Sequence, residues 1–238
     1  MISPHLDDAV LSLGATIAGA VRDGADVRVL TVFAGDPKAE IGASAHDRAC
    51  GFATAGEAAR RRRIEDRDAL AVLGATPVWL PFPDRDERGA GDDPAIVQAV
   101  AREAAAADTV LVPGYPLTHE AHRRLTGILL RYGALAGVRA ALYVEQPYAA
   151  WRSLSRSSGP LRSWWQSLRP DTPPSLAGLV ATPPIWIRAG GEVGDWAKKR
   201  RALARYVSQL PRLRRRPFLR IALHEAMRGG EAVAWIDR

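Results

Sequence analysis

Short β-branched stretches alternate with longer amphipathic stretches over most of the chain, and this alternation constrains the fold more than any other feature. Candidate strands occupy residues 27–33, 77–80, 109–113 and 139–145, and helical patterns fill residues 8–22, 58–74, 94–107 and 119–135. Strands that alternate with helices indicate βαβ units and a parallel sheet covered by helices. We therefore predict an α/β protein with a three-layer, Rossmann-like fold and a mainly parallel sheet.

The length of 238 residues is typical of one domain, and we predict a single domain over residues 1–238. After the alternating part, the pattern predicts a helix over 195–210 and strands over 218–223 and 232–236. Only Met1 to Ser3 precede the first polar motif. This predicts a shortened edge strand, or a start codon placed downstream of the true one.

Two segments are predicted to be long loops. Residues 34–57 include His46 and Asp47, which are candidates for substrate contact, although an exposed loop position is the favoured interpretation. Residues 147–186 hold seven prolines and the tryptophans Trp151, Trp164, Trp165 and Trp186. A loop of this length is uncommon in a compact domain unless it is a lid or a binding loop. For the adjacent pair Trp164 and Trp165, packing in the core is favoured over contact with a sugar or an acyl chain.

Four consecutive residues near the start, His5-Leu6-Asp7-Asp8, combine a histidine with two carboxylates. They stand where a strand is predicted to give way to a helix. His5 and Asp8 are suitable metal ligands, and Asp7 between them is free to move protons. The alternative is a helix N-cap, because aspartate oxygens accept hydrogen bonds from the unpaired N–H groups of a first helical turn.

A second motif follows the candidate strand 109–113. His119 and His122 are three residues apart at a predicted helix start, with Thr118 as the predicted N-cap, so that both share one helix face. Such a pair on its own is typical of a solvated helix surface. Combined with the first motif, His5, Asp8 and one of the two histidines make a set of three N/O ligands. Three protein ligands with an open fourth position are typical of catalytic zinc.

Two further segments complete a family pattern. Residues 61–75 read RRRIEDRDALAVLGA, and residues 79–84 read WLPFPD. Together with SPHLDDAVLSLGATIA near the start and PGYPLTHEAH near the middle, they resemble the LmbE-like, or PIG-L, zinc-dependent N-deacetylases. The matching segments span residues 3–122 and follow the order found in that family.

The resemblance implies a metal-dependent N-deacetylase in which His5, Asp8 and His122 bind one zinc ion, with iron(II) as the alternative metal. It implies that Asp7 acts first as general base and then as general acid. It also implies that a cationic His119 stabilises the negative charge that develops on the carbonyl oxygen.

By the same resemblance, Arg62 and Asp84 fall at substrate-binding positions. The implied substrate is an N-acetylated amino sugar or an aminoglycosylated small molecule of bacterial secondary metabolism, a glycopeptide-type antibiotic being one option. Two alternatives stay open. One is a metal-dependent amidase that cleaves a non-acetyl amide, and the other is a metal-free relative that binds a sugar or a nucleic acid.

Two positions depart from the family pattern. Ala9 stands where the family usually has glutamate, and Ala121 stands where it commonly has aspartate. Neither change removes an implied ligand, but both remove a carboxylate that could orient ligands, a loss that often costs about 10–100-fold in metal affinity or activity. Glu120 is a candidate replacement.

Composition favours a cytoplasmic enzyme. The single Cys50 excludes disulfides within the chain and thiolate metal clusters. No apolar run is long enough to cross a membrane. The net charge of +7 comes largely from three arginine-rich groups, at 60–63, 198–201 and 212–216. They carry no nucleic-acid-binding signature, so solvated helix faces are the favoured interpretation, and the sequence is compatible with a homo-oligomer.

Overall fold

Parallel strands joined by helices build the centre of the molecule. The computed structural model describes residues 1–35, 41–84, 92–155, 170–209 and 215–236. Its strands are β1 (Ile2–Ser3), β2 (Arg28–Thr31), β3 (Thr76–Trp79), β4 (Thr109–Tyr115), β5 (Arg139–Val144), β6 (Ile187–Ala189) and β7 (Glu231–Ile236). Its helices are α1 (Asp8–Arg22), α2 (Ala45–Ala49), α3 (Ala55–Leu73), α4 (Asp93–Ala104), α5 (Glu120–Arg131), α6 (Tyr148–Ser155), α7 (Val193–Leu203) and α8 (Arg215–Arg228), with a short 3₁₀ turn at Pro174–Leu176.

The strands form two hydrogen-bonded groups that lie side by side. One group has the order β1-β2-β3 and is parallel, and the other has the order β4-β5-β7-β6. Strands β4 and β5 are parallel, whereas β7 runs antiparallel to both β5 and β6. Strand β1 lies beside β4, so the chain winds outwards from β1 to β3 and then restarts at β4 on the other side. Such a reversal is the topological switch point at which α/β sheets bind ligands.

Side chains of the central strands alternate between two helical layers. In β2, Val29 packs with α1, α3 and α7, and its neighbour Leu30 packs with α4 and α5 on the opposite face. This alternation is the period of two expected of a strand buried on both faces. The predicted three-layer α/β architecture is therefore confirmed.

The C-terminal third differs from the prediction in two places. Residues 218–223, predicted as a strand, lie within helix α8. The reason is the spacing of the buried positions Ile221, His224 and Glu225, which follows the helical period, whereas a short apolar run alone fits either structure. Strand β6, which was not predicted, begins directly after the segment 147–186, while the predicted strand 232–236 is confirmed by β7.

The predicted loops contain regular structure as well. Helix α2 lies within 34–57, and helix α6 lies within 147–186. Trp164 and Trp165, and residues 212–214 of the third arginine-rich group, lie outside the described residues, as does the side chain of His46. Among the helices of the described segments, none combines the length and the apolar character needed to cross a membrane.

A buried charge cluster joins α7, α8 and β7 beneath α1. The Lys199 ammonium donates hydrogen bonds of 2.7 Å to both Glu225 and Glu231. Helix α1 departs from helical geometry at Leu13, and the Glu231 carboxylate accepts hydrogen bonds from the backbone N–H groups of Ala15 and Thr16 just beyond that point. Glu231 thus caps the second part of α1, because its carboxylate satisfies N–H groups that the kink leaves free.

Asp66 of α3 is another buried carboxylate. Asp66 is 2 % exposed and accepts hydrogen bonds of 2.8 Å from the Trp79 indole N–H and from the Tyr206 hydroxyl. Burial raises the pKa of Asp66 to about 6, against the opposing effect of these two hydrogen bonds. Between its ordinary pKa and about 6, the folded protein holds a proton that the unfolded chain releases. The contribution of Asp66 to the free energy of unfolding therefore falls as the pH rises through that range.

We expect Asp66→Asn to gain stability relative to wild type by about 1–2 kcal/mol between pH 5 and pH 8, because asparagine carries no charge to bury. An asparagine can accept the Trp79 hydrogen bond and donate one to the Tyr206 oxygen. Urea denaturation of both proteins at the two pH values measures the effect. Asp68→Asn, at an exposed position of the same helix, serves as the control. A difference between Asp66→Asn and wild type that does not change with pH would contradict the explanation.

Candidate functional site

Both sequence motifs lie at the switch point of the sheet. The first motif follows β1, and the second follows β4, the strand beside it. The turn after β1 is held at two points. The Ser3 hydroxyl donates a 2.7 Å hydrogen bond to the His5 carbonyl and accepts one from the Ala9 N–H. The Gln209 side chain donates to the Leu6 carbonyl at 2.8 Å. Together these contacts fix the backbone that carries the first motif.

Three side chains bring one donor atom each to a common point. His5 Nδ1 lies 3.1 Å from His122 Nε2 and 3.3 Å from Asp8 Oδ2, and His122 Nε2 lies 3.2 Å from Asp8 Oδ2. His122 is fully buried, and Asp8 is 6 % exposed. The two motifs together supplied four candidate ligands. Three of them form this triangle, and the fourth, His119, lies outside it.

The triangle fits a metal ion. A tetrahedral ion with bonds of about 2.05 Å has ligand atoms about 3.3 Å apart, close to the three distances seen here. Two imidazole nitrogens and a carboxylate are also a donor set that zinc and iron(II) accept. The Asp8 carboxylate is further fixed by a 2.9 Å hydrogen bond from the His5 backbone N–H. The described residues therefore form a candidate metal site of three protein ligands.

Each histidine of the triangle is held by a carboxylate on its other nitrogen. His122 Nδ1 is hydrogen-bonded to Glu145, and His5 Nε2 lies 2.8 Å from Asp84 Oδ2. Such partners fix the tautomer and the orientation of a ligating histidine. Asp84, predicted to bind substrate, thus contacts His5 through its half-exposed side chain, and substrate binding by Asp84 stays a prediction.

Glu145 is a carboxylate that orients a ligand, the role that Ala9 and Ala121 cannot fill. It is 2 % exposed, follows directly after β5, and also accepts a hydrogen bond from the Leu117 N–H at 3.2 Å. Glu120, the replacement proposed from sequence, is exposed at the start of α5. The relevant signal was available, because the carboxyl end of a parallel strand is where such sheets place functional side chains.

We expect Glu145→Gln to weaken metal binding by about 10–100-fold, since glutamine offers one acceptor oxygen where two donors converge. Competition with a chromophoric chelator measures the affinity. Glu120→Gln is the matched control and should bind metal as tightly as wild type. Equal weakening in both variants would show that Glu145 has no specific effect on His122.

Charges within the triangle act in the direction that favours a cation. Burial lowers the pKa of His122, but the Asp8 charge and the hydrogen bonds to Asp8 and Glu145 outweigh it and raise the pKa to about 10. The pKa of His5 is raised to about 9, because its hydrogen bonds to Asp8 and Asp84 outweigh the lowering effect of burial. The pKa of Asp8 is lowered, since the two histidines overcome the opposing effect of burial. A positive charge at this point is therefore stabilised.

Asp7 is held in a strained backbone conformation beside the triangle. Its φ of 153° and ψ of −26° are rare for a residue with a side chain and cost about 1–3 kcal/mol. Its side chain makes no N-capping hydrogen bond to α1, so the alternative interpretation of the aspartate pair as a helix cap is wrong for Asp7. Burial and the neighbouring Asp8 charge raise the pKa of Asp7 well above its ordinary value.

His119 lies next to the triangle without joining it. Its ring centroid is 4.7 Å from that of His122 and 5.3 Å from that of His5. It is the N-cap residue of α5, a position that the sequence had assigned to Thr118. Burial and the adjacent histidines lower the pKa of His119, which favours a neutral ring over the predicted cationic one. Its buried Nδ1 has no hydrogen-bond partner among the described residues.

Arg62 is paired with a carboxylate of helix α2. Its guanidinium is hydrogen-bonded to Asp47 and lies 5.8 Å from the centre of the Phe52 ring. Burial raises the pKa of Asp47, but hydrogen bonds from Ser44 and the Arg62 charge outweigh it and lower the pKa. The structure thus fixes Arg62 through Asp47, and substrate contact by Arg62 stays a prediction.

Tyr148 and Trp151 were not singled out as site residues by the sequence motifs. The Tyr148 ring centroid lies 5.3 Å from that of His122 and 5.8 Å from that of His119. Trp151 lies beyond it on the same helix. Helix α6 therefore forms an aromatic wall next to the triangle.

The sequence profile described as "PIG-L: GlcNAc-PI de-N-acetylase" matches residues 1–132. That range includes both motifs and Asp84, the partner of His5, and it ends before Glu145, the partner of His122. The match confirms the resemblance seen in the sequence. A search of curated protein sequences finds no match.

Solved structures match nearly the full length of the chain. A deacetylase of the A40926 pseudoaglycone is 29 % identical, with a TM-score of 0.77 over 99 % of this chain and 94 % of that one. A triple mutant of a deacetylase in the teicoplanin biosynthetic pathway is 25 % identical, with a TM-score of 0.77 over 100 % and 96 %. A zinc-inhibited form of teicoplanin deacetylase, at 24 % identity and a TM-score of 0.75 over 100 % and 97 %, shows the shared fold.

Proposed function

The chain belongs to the PIG-L family of GlcNAc-PI de-N-acetylases, and on that premise we propose that it is a metal-dependent N-deacetylase acting on an amino sugar. The observation that carries the proposal is the triangle of His5, Asp8 and His122 at the switch point, with Asp7 adjacent to it. Three ligands and a neighbouring base are what hydrolysis of an amide at a metal site requires.

His5, Asp8 and His122 would hold one zinc ion, and iron(II) is the alternative that the same donors accept. When bound, such an ion lowers the pKa of water to about 7 and polarises a carbonyl oxygen. Glu145 and Asp84 keep the two histidine rings in the orientation that points one nitrogen of each towards Asp8.

Asp7 carries the proton transfers in this proposal. Its carboxylate accepts a proton from the attacking water and passes it to the amine nitrogen as the C–N bond breaks. Burial and the Asp8 charge raise the pKa of this carboxyl, which favours its uptake of a proton from water. The strained backbone holds this carboxylate beside Asp8 without making it part of the triangle.

His119 supplies a hydrogen bond to the carbonyl oxygen in this proposal. A neutral ring, as its lowered pKa favours, can donate one N–H to an oxygen that gains negative charge. The family resemblance implied a cationic ring at this position, and the charge of His119 stays a prediction. Arg62, oriented by Asp47, is the candidate for contact with substrate hydroxyl groups.

The substrate proposed is an acetamido sugar carried by a small molecule of secondary metabolism. Support comes from the similarity to deacetylases of the A40926 pseudoaglycone and of the teicoplanin pathway. An amidase acting on a non-acetyl amide differs from this in the acid that it releases. Cytoplasmic location, homo-oligomer formation and the absence of nucleic-acid binding stay predictions.

The proposal is tested by measuring metal content and acetate release on the same preparation. Protein purified through a tag that binds no metal should contain about one zinc or iron per chain. Metal should be added back only to one equivalent, because one similar deacetylase has a zinc-inhibited form. Acetate released in equal amount to free amine from N-acetylglucosaminides supports the function. Release of a different acid would establish the amidase alternative, and a protein that binds no metal would overturn the proposal.

A further inference from the structure

Three aromatic rings lead outwards from the triangle to the surface. His122 is fully buried, Tyr148 is half-buried at 5.3 Å from it, and Trp151 is 42 % exposed at 5.6 Å from Tyr148. The Tyr148 ring meets both neighbours edge to face, with interplanar angles of 83° and 86°. The series therefore connects the candidate metal site to solvent through contiguous ring contacts.

Helix α6 presents this series because of its spacing. Tyr148 and Trp151 are three residues apart and share one face, while Ala149 and Ala150 between them are fully buried against the core. The helix begins three residues after Glu145, the partner of His122, so its first turn is fixed relative to the triangle. The exposed surface of Trp151 therefore has a fixed position relative to the triangle.

The chemistry of this face selects for flat apolar groups. Trp and Tyr rings bind through their faces, and an exposed Trp at the rim of a polar site gives an apolar surface beside the reacting groups. For a substrate whose acetamide lies at the triangle, the Tyr148 ring is the next aromatic side chain outwards on helix α6, and the Trp151 ring follows it.

We propose that Tyr148 and Trp151 form a binding platform for a glycoside, in which Tyr148 contacts the acetamido sugar and Trp151 stacks on an apolar aglycone. The substrate class is then an N-acetylated amino sugar linked to an aromatic or similarly flat group. This inference rests on the proposed deacetylase function. It adds the specificity-determining residue Trp151, which the metal ligands and Asp7 do not provide.

The test compares two probes, 4-nitrophenyl N-acetyl-β-glucosaminide and free N-acetylglucosamine. Wild type should have a KM for the aryl glycoside about 10-fold below that for the free sugar, as expected for one stacked ring. Trp151→Ala should lose most of this preference, chiefly through a higher KM for the aryl glycoside, and Trp151→Phe should restore much of it. Trp235→Ala is the matched control, because Trp235 is 41 % exposed on β7, under the Arg139 guanidinium.

Binding is also measured without turnover, by calorimetric titration of both probes into metal-depleted protein. Wild type and Trp235→Ala should bind the aryl glycoside more tightly than the free sugar, and Trp151→Ala should not. If wild type releases acetate but Trp151→Ala keeps the full aryl preference, the platform is wrong and the deacetylase function stands. If the Trp151-dependent preference appears in binding while metal-loaded wild type releases no acetate, the platform stands and the deacetylase function is wrong. Absence of any aryl preference in wild type overturns the platform.

Discussion

Replacing Asp7 with asparagine is expected to lower kcat by a factor of about 10²–10⁴ and to leave the bound metal in place. Asparagine keeps the size and the shape of the side chain but cannot accept the proton of the attacking water. It also tolerates a positive φ better than most residues, so the strained turn at φ 153° should persist. Activity on an N-acetylglucosaminide and metal per chain, measured on one preparation, give both quantities.

The control is Asp23→Asn, at the exposed end of the same helix, which should match wild type in both measurements. A kcat of Asp7→Asn within a few-fold of wild type would show that another group moves the proton. Loss of metal in Asp7→Asn would place Asp7 among the groups that hold the ion. The triangle would then have to be revised, because its three donor atoms do not include Asp7.

The layered fold could be predicted because its signals are local. Apolar runs alternating with amphipathic stretches indicate which segments are strands and helices, and β-branched runs such as 109–113 mark central strands. The prediction of a strand at 218–223 was wrong because a short, mostly apolar segment fits either a strand or a buried helix turn. Only the burial of Ile221, His224 and Glu225 at helical spacing distinguishes the two.

The site could be predicted in part, and the missing part depends on contacts between distant segments. The two motifs identify residues that carry chemistry, but the pairing of His122 with Glu145 arises because β4 and β5 are neighbours in the sheet. The direction of the pKa shift of His119 could not be predicted for a similar reason. Its pKa depends on the depth of its burial and on its distances from His5 and His122, and the sequence alone predicts neither of these.

Replacing His122 with alanine is expected to have the largest effect on metal content. One of three ligands is removed from a buried position, so affinity should fall by more than about 100-fold, the upper range for loss of an orienting partner alone. Protein dialysed without added metal should then contain close to none, as elemental analysis would show. His119→Ala is the matched control, because its ring lies 4.7 Å from that of His122 on the same helix start but outside the triangle. It should keep its metal and lose activity.

The alanine variant also leaves Glu145 buried without its partner, which can cost about 3–5 kcal/mol and prevent folding. His122→Gln separates the two effects. A glutamine at this position can donate a hydrogen bond to Glu145 and fill much of the space, so the variant should fold, yet it lacks the imidazole nitrogen that faces Asp8. Metal loss in folded His122→Gln, with metal retained in His119→Ala, is the expected pattern. The opposite pattern would mean that His119 rather than His122 completes the ligand set, with Glu145 then serving only to stabilise a buried histidine.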